Sequence, residues 1–166
     1  MCHSCRDAAA LDVVDQTKMD NYSREIERLL KNDVYIVIFQ SENNENSKTS
    51  WKNIFSHASA ESVMKSFSPN IEGIASSIIS TEDAIRQLNI GLRVDDLLSY
   101  RLTCHSSRIY TQILDPPNGV LRLVVINKVS DNQTLNEDPS IDTRMKQICK
   151  NIQRALSAPS SNNHNA

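Results

Sequence analysis

Glycine is scarce in this chain: Gly73, Gly91 and Gly119 are the only three in 166 residues. Loops that cradle phosphate need clustered glycines so that backbone N–H groups can close on the ligand. Three isolated glycines exclude nucleotide-binding enzymes of the usual kinds. Aromatic residues are also few, with one Trp and three Phe. That leaves little for stacking on bases, and no run of Lys and Arg supplies the basic footprint of a nucleic-acid binder. The formal net charge of −2 points to no polyanionic partner. No stretch approaches the ~18–20 consecutive apolar residues of a membrane span, so membrane insertion is not expected. The first residues lack the basic, apolar, small-residue order of a secretory signal, and an intracellular setting is expected. The four cysteines, at 2, 5, 104 and 149, are too scattered for a disulfide framework. The Asn132 acceptor motif "NQT" has no meaning without a secretory route.

The polar residues are gathered in segments. Hydrophobic residues make up 39% of the chain, and residues 1–20, 41–50, 129–140 and 157–166 hold much of the Asn, Ser, Asp and Glu. The reading is a flexible tail over 1–18, one domain over 19–156, and a disordered tail over 157–166.

Within that domain, "MDNYSREIERLLK" puts Tyr22, Ile26, Leu29 and Leu30 at helical spacing, with Asp20 or Asn21 as cap. "DVYIVIFQ" is apolar at every position from Val34 to Phe39, and such a run requires both faces of a strand to be covered. "WKNIF" is more polar and suits an edge strand, with Trp51, Asn53 and Phe55 on one face. "SPNIEGIASSIISTEDAIRQLN" is the strongest helix. Ser68 caps it, Pro69 takes its first position, and Ile71, Ile74, Ala75, Ile78, Ile79, Ile85 and Leu88 form a broad stripe, with Gly91 just past the end. An additional turn or two over 61–67 is compatible with the pattern.

"DLLSYRLTCH" alternates Leu98, Tyr100, Leu102 and Cys104 with polar residues, an edge-strand pattern. A fourth strand over 108–113 leads through the Pro-Pro-Asn-Gly turn into a second central strand, Val120 to Ile126, apolar at nearly every position. A last helix begins near Pro139 and Ser140, with Ile141, Met145, Ile148, Ile152, Ala155 and Leu156 as its stripe. Two buried strands, outer amphipathic strands and three helix stripes predict an α/β sandwich: one five-stranded antiparallel sheet with helices on both faces.

Catalytic and metal chemistry find little support. Cys2, His3 and Cys5 offer half of a zinc-site spacing, with no second Cys/His pair to complete it. Cys104 and His105 are neighbours on a strand, so their side chains diverge. His57 has no evident acidic partner. The pairs Glu82–Asp83 and Asp95–Asp96 are read as helix-face and loop residues. No catalytic residue, cofactor or metal is expected. The polar face of the strand around Tyr100 carries little charge, so this edge is expected either to be blocked or to pair with another chain.

The stretch "DDLLSYRLTCHSSRIYTQILDPPNGVLRLVVINK", Asp95 to Lys128, resembles the roadblock-type dynein light chains and the roadblock domain. Its acidic opening, short polar turn, Pro-containing acidic turn and closing apolar strand carry the resemblance. The likeness extends more loosely over residues 20–156. The long loop after the first strand and the Lys128-Val129 ending depart from the family pattern. The resemblance implies a non-catalytic light-chain subunit of cytoplasmic dynein, acting in microtubule-based movement and bound to the dynein intermediate chain. It implies a homodimer, or a heterodimer with another roadblock-domain chain, through Ile74, Ile78, Ile85, Ser99, Tyr100 and Leu102. It also implies a cytoplasmic, cytoskeletal location. A roadblock-domain scaffold or regulator of small GTPases is the alternative, and a small enzyme with an unrecognised site is a third reading from another class.

Overall fold

The computed structural model describes residues 15–43, 49–88, 97–114, 121–129 and 139–157. In chain order these form α1 (Gln16–Leu30), β1 (Val34–Asn43), β2 (Thr49–Ala58), α2 (Glu61–Phe67), a 3-10 turn (Ser68–Asn70), α3 (Ile71–Leu88), β3 (Ser99–Thr103), β4 (Ser107–Leu114), β5 (Leu121–Lys128) and α4 (Pro139–Ser157). The strands make one sheet in the order β2-β1-β5-β4-β3, and every neighbouring pair is antiparallel. The expected five-stranded antiparallel α/β sandwich is what the chain adopts.

The two most apolar runs take the inner positions. Val34 to Phe39 and Leu121 to Val125 are at most 7% exposed, and even Arg122 is drawn into this set. Leu121, Leu123 and Val125 face one side with Val34, Ile36 and Ile38; α1 and α4 cover that side with Met19, Ile26, Leu30, Met145, Ile148, Cys149, Ile152 and Leu156. Tyr35, Val37, Phe39, Val124 and Ile126 face the other, beneath Val63 of α2 and Ala75 and Ile78 of α3. Each of these inner side chains contributes about 1.5–3 kcal/mol by leaving water. A strand covered on both faces collects that term at every residue rather than at every second one.

Local structure departs from expectation in four places. The first helix starts at Gln16, capped by Asp15, whose Oδ1 accepts from the amides of Thr17 and Lys18 at 3.0 and 3.2 Å. Asp20 and Asn21 therefore lie inside it; Met19, 2% exposed, belongs to its buried stripe and extends the helix backwards. This helix closes on Lys31 at φ 62°, left-handed backbone that a side chain enters only at a cost of about 1–2 kcal/mol.

A bulge between Ile38 and Phe39 breaks the β1–β2 register. It moves Phe55, opposite Ile38, to the α1/α4 side, while Asn53 and Trp51 stay on the other; the three do not share a face. Ser68 is the C-cap of α2 rather than the N-cap of α3, because Pro69 is accommodated in the 3-10 turn that joins them. The wide stripe of α3 is buried only at Ala75 and Ile78, whereas Leu88 is 83% exposed. Gly91, the Asp95–Asp96 pair, the Pro-Pro-Asn-Gly turn, Val120, and the N-terminal Cys2, His3 and Cys5 lie outside the described residues.

Candidate functional site: a cleft at the thin end of the sheet

Residues paired across antiparallel strands share a face. Gln112 of β4 is opposite Leu123 of β5 and Ser99 of β3; Tyr110 is opposite Val125 and Arg101. All six project towards α4. Leu123 and Val125 lie under α4 and are fully buried, but the edge strand β3 lies further out and Arg101 is exposed. Between the outer strands and the helix is a cleft of about 320 Å³, lined by these residues with Asp142, Met145, Lys146 and Cys149 of α4.

The floor and the rim differ in kind. Leu123, Val125, Met145 and Cys149 make an apolar bottom. Ser99, Arg101, Gln112, Asp142 and Lys146 make a polar border. Gln112 is fixed: its Nε2 donates to the Leu98 carbonyl at 3.0 Å, and the Ile113 amide donates to the same oxygen at 2.8 Å. These bonds hold the start of β3 to β4. Across the mouth, Nη1 of Arg101 bonds both carboxylate oxygens of Asp142, at 2.6 and 2.8 Å. Asp142 lies in the first turn of α4, where the helix dipole favours a negative charge. The pair is 31% and 41% exposed, so it adds on the order of 0–1 kcal/mol and opens at little cost.

Burial pushes the Cys149 thiol up to about 11. A thiol in that state is a small apolar group rather than a nucleophile. Among the described residues, no group of three or more His, Cys, Asp and Glu side chains is placed to hold a metal ion. A second, more open groove of about 340 Å³ follows the seam between α1 and α4, lined by Glu25, Arg28, Leu29, Arg144, Gln147, Ile148 and Asn151. It is a surface furrow without a sheet floor.

On the opposite face lies a buried ion pair. Arg122 Nε and Nη2 donate to Glu82 Oε1 and Oε2 at 2.6 and 3.1 Å, and the guanidinium lies 5.2 Å from the Trp51 ring centroid. Both side chains are nearly inaccessible. Arg86 approaches Glu82 at 3.6 Å from one turn further on. Glu82 is thus not the helix-face residue that its sequence neighbourhood indicated. His57 also differs from expectation: β2 aims it at α1, where Nε2 meets Glu27 Oε1. Cys104 and His105 are exposed in the β3–β4 turn, where the Cys104 amide donates to the Ser107 carbonyl at 2.8 Å.

The six residues singled out by the family resemblance do not share one surface. Ile78 is buried in the core; Ile74 and Ile85 are half-buried on α3. Tyr100 and Leu102 point to the α3 side, with the Tyr100 hydroxyl 3.5 Å from the Ile78 carbonyl, whereas Ser99 points to the cleft. Of the cleft residues, Lys146 was not singled out in the sequence, and Cys149 and Gln112 entered only as a scattered cysteine and a polar strand position, with no role in a site. The strict apolar period of α4 omits Cys149, although a small thiol within a stripe that includes Met145, Ile148 and Ile152 is a usable signal.

No family model matches this chain, and no curated protein sequence matches it. Solved structures that match include the crystal structure of Escherichia coli SdiA in space group P6522, with a TM-score of 0.44, 12% identity, and coverage of 92% of this chain and 66% of that one. SdiA in complex with octanoyl-rac-glycerol matches with a TM-score of 0.44 and 15% identity, covering 92% of this chain and 65% of that one. The chain thus spans just under two thirds of those chains. With no roadblock or dynein family match and with SdiA chains as the structural matches, the light-chain assignment is corrected. With it go the intermediate-chain partner, the dimer with a roadblock-domain chain, the small-GTPase alternative and the motor-complex role. The physical reason is that a polar turn, a Pro-containing turn and a buried strand describe an antiparallel hairpin in general, and a fold pattern does not carry a function.

Proposed function

We propose that this chain is a non-catalytic module that binds a small amphipathic molecule in the cleft between β3–β5 and α4. The carrying observation is the split lining: an apolar floor built on an inner strand, beneath a polar border drawn from two separate elements. Ligand sites are usually concave, largely apolar, and oriented by a few polar groups. A rigid floor helps here, because Leu123 and Val125 are held by sheet neighbours on both sides and change little in position on binding. At roughly 30 Å³ for each water-sized group, 320 Å³ accommodates about ten non-hydrogen atoms. The high thiol pKa of Cys149 and the engagement of the Asp142 carboxylate by Arg101 support binding rather than turnover.

The test is methyl-resolved NMR of the full chain titrated with octanoate and with 1-octanol, two probes of matching size. Shifts are expected at the Leu123, Val125 and Met145 methyls with at least one probe. Ser99→Trp, which puts an indole into the cleft from an exposed strand position, should abolish them. Shifts confined to Leu29 and Ile148 would assign binding to the α1–α4 furrow instead, and no shift with either probe would remove the proposal.

A further inference from the structure

The chemistry of the cleft border says which end of an amphipathic molecule it receives. Two cationic side chains, Arg101 and Lys146, and one carboxylate, Asp142, line the cleft. They come from opposite walls: Arg101 from the outermost strand and Lys146 from α4, one turn beyond Asp142. The apolar floor lies below them, so a chain seated on Leu123, Val125, Met145 and Cys149 brings its head group to that border. Asp142 already demonstrates what the border binds, since its carboxylate is held by Arg101 at 2.6 and 2.8 Å.

Resting on the cleft reading above, we propose that the site selects ligands with an anionic head, and that the head takes over Arg101 from Asp142. The exchange is chemically even. One carboxylate leaves the guanidinium and another arrives, so no buried charge is left uncompensated. The released Asp142 remains in the first turn of α4, where the helix dipole stabilises it, and is already 41% exposed. The incoming carboxylate is flanked by Lys146, which shares the α4 wall with Asp142. Guanidinium groups suit this role because their several N–H donors match the geometry of a carboxylate. A neutral head accepts a bond from these ionised donors but forms no ion pair with them, and a cationic head meets two like charges against the single carboxylate of Asp142.

The experiment compares octanoate, 1-octanol and octylamine at neutral pH by NMR titration of the full chain. The wild type is run beside Arg101→Gln, Asp142→Asn and Ser99→Trp. Octanoate should bind at least tenfold more tightly than 1-octanol, and octylamine should bind weakest. Arg101→Gln should bring octanoate to within about twofold of 1-octanol. Asp142→Asn, which removes the competing carboxylate, should raise the octanoate-to-octanol ratio above that of the wild type. Equal binding of octanoate and 1-octanol at the cleft overturns the head-group assignment while leaving the cleft reading intact. Preference for octylamine overturns it as well. A lower ratio in Asp142→Asn overturns the exchange, because it would mean that Asp142 positions Arg101 for the ligand instead of competing with it. Binding that Ser99→Trp does not diminish, or no binding of any probe, overturns the cleft reading itself.

Discussion

Glu82→Gln is the most informative single change to the fold. It keeps the shape of the side chain and removes its charge, leaving the Arg122 guanidinium 7% exposed on an inner strand. Breaking one half of a buried ion pair costs about 3–5 kcal/mol, since the remaining charge is desolvated without compensation. Two features of the site place the expected loss near the lower end of that range. Trp51 lies 5.2 Å from the guanidinium and offers a cation–π contact of about 1–2 kcal/mol in a desolvated setting. A Gln oxygen also remains able to accept one of the two former bonds. The expected loss is therefore about 3 kcal/mol, a large share of the 5–15 kcal/mol typical of a domain. Urea unfolding should show a lower midpoint at unchanged slope. The double replacement Glu82→Leu with Arg122→Met should recover most of the loss, because a buried pair and an apolar pair of similar volume are nearly equivalent. Added salt should leave the effect of Glu82→Gln in place, as buried charges are poorly screened. A loss under about 1 kcal/mol would refute the reasoning, showing that water reaches Arg122 or that α3 moves to relieve it.

Lys31→Gly should stabilise the chain by about 0.5–1 kcal/mol, measured by urea unfolding, since glycine enters the left-handed conformation at φ 62° without strain and loses only part of that gain as chain entropy; a loss would mean that the Lys31 side chain has an unseen structural role. Alkaline pH should destabilise the chain, read as a falling urea midpoint between about pH 9 and 11. Burial raises the Cys149 thiol from 9.0 to about 11, and burial also raises the Tyr35 and Tyr100 phenols above 10.0. In each case the folded pKa exceeds the unfolded one, so the stabilisation is complete below the unfolded value and is lost as pH climbs towards the folded one, for Cys149 between about 9 and 11. In a Cys2→Ser, Cys5→Ser background, iodoacetamide at pH 8 should modify exposed Cys104 and spare Cys149 until denaturant is added; rapid native labelling of Cys149 contradicts its burial.

The parts of the fold legible in the sequence were those determined within one run of residues. Val34 to Phe39 needs no knowledge of the rest of the chain to demand cover on both faces, and it occupies an inner position. The outer places of β2 and β3 followed from their polar alternation in the same way. What escaped depends on distant partners. Glu82 is buried because Arg122 lies opposite it, 40 residues away in sequence. Helical periodicity finds the inward face of α3 but not its depth, so Ile74 and Ile78 looked equivalent and are not. The bulge at Ile38/Phe39 redirects Phe55 without leaving a mark in the composition. The cleft was invisible for the same reason: its lining runs from Ser99 to Cys149 and is assembled only when three strands and α4 come together. The Asp95–Lys128 pattern captured real strands but stretched them into a family they do not identify.

The position of β3 bears on time as well as on shape. It is five residues long, paired along one side only, and tied to α4 by a half-exposed ion pair. Such a strand opens with a free energy well below that of the whole domain. For the ligand proposed above, residence would then depend on the fraying rate of one short strand as well as on the ion pair across the mouth, while the inner strands stay closed. Changes that tighten β3 against β4 would then slow arrival and departure together and leave the affinity nearly as it was.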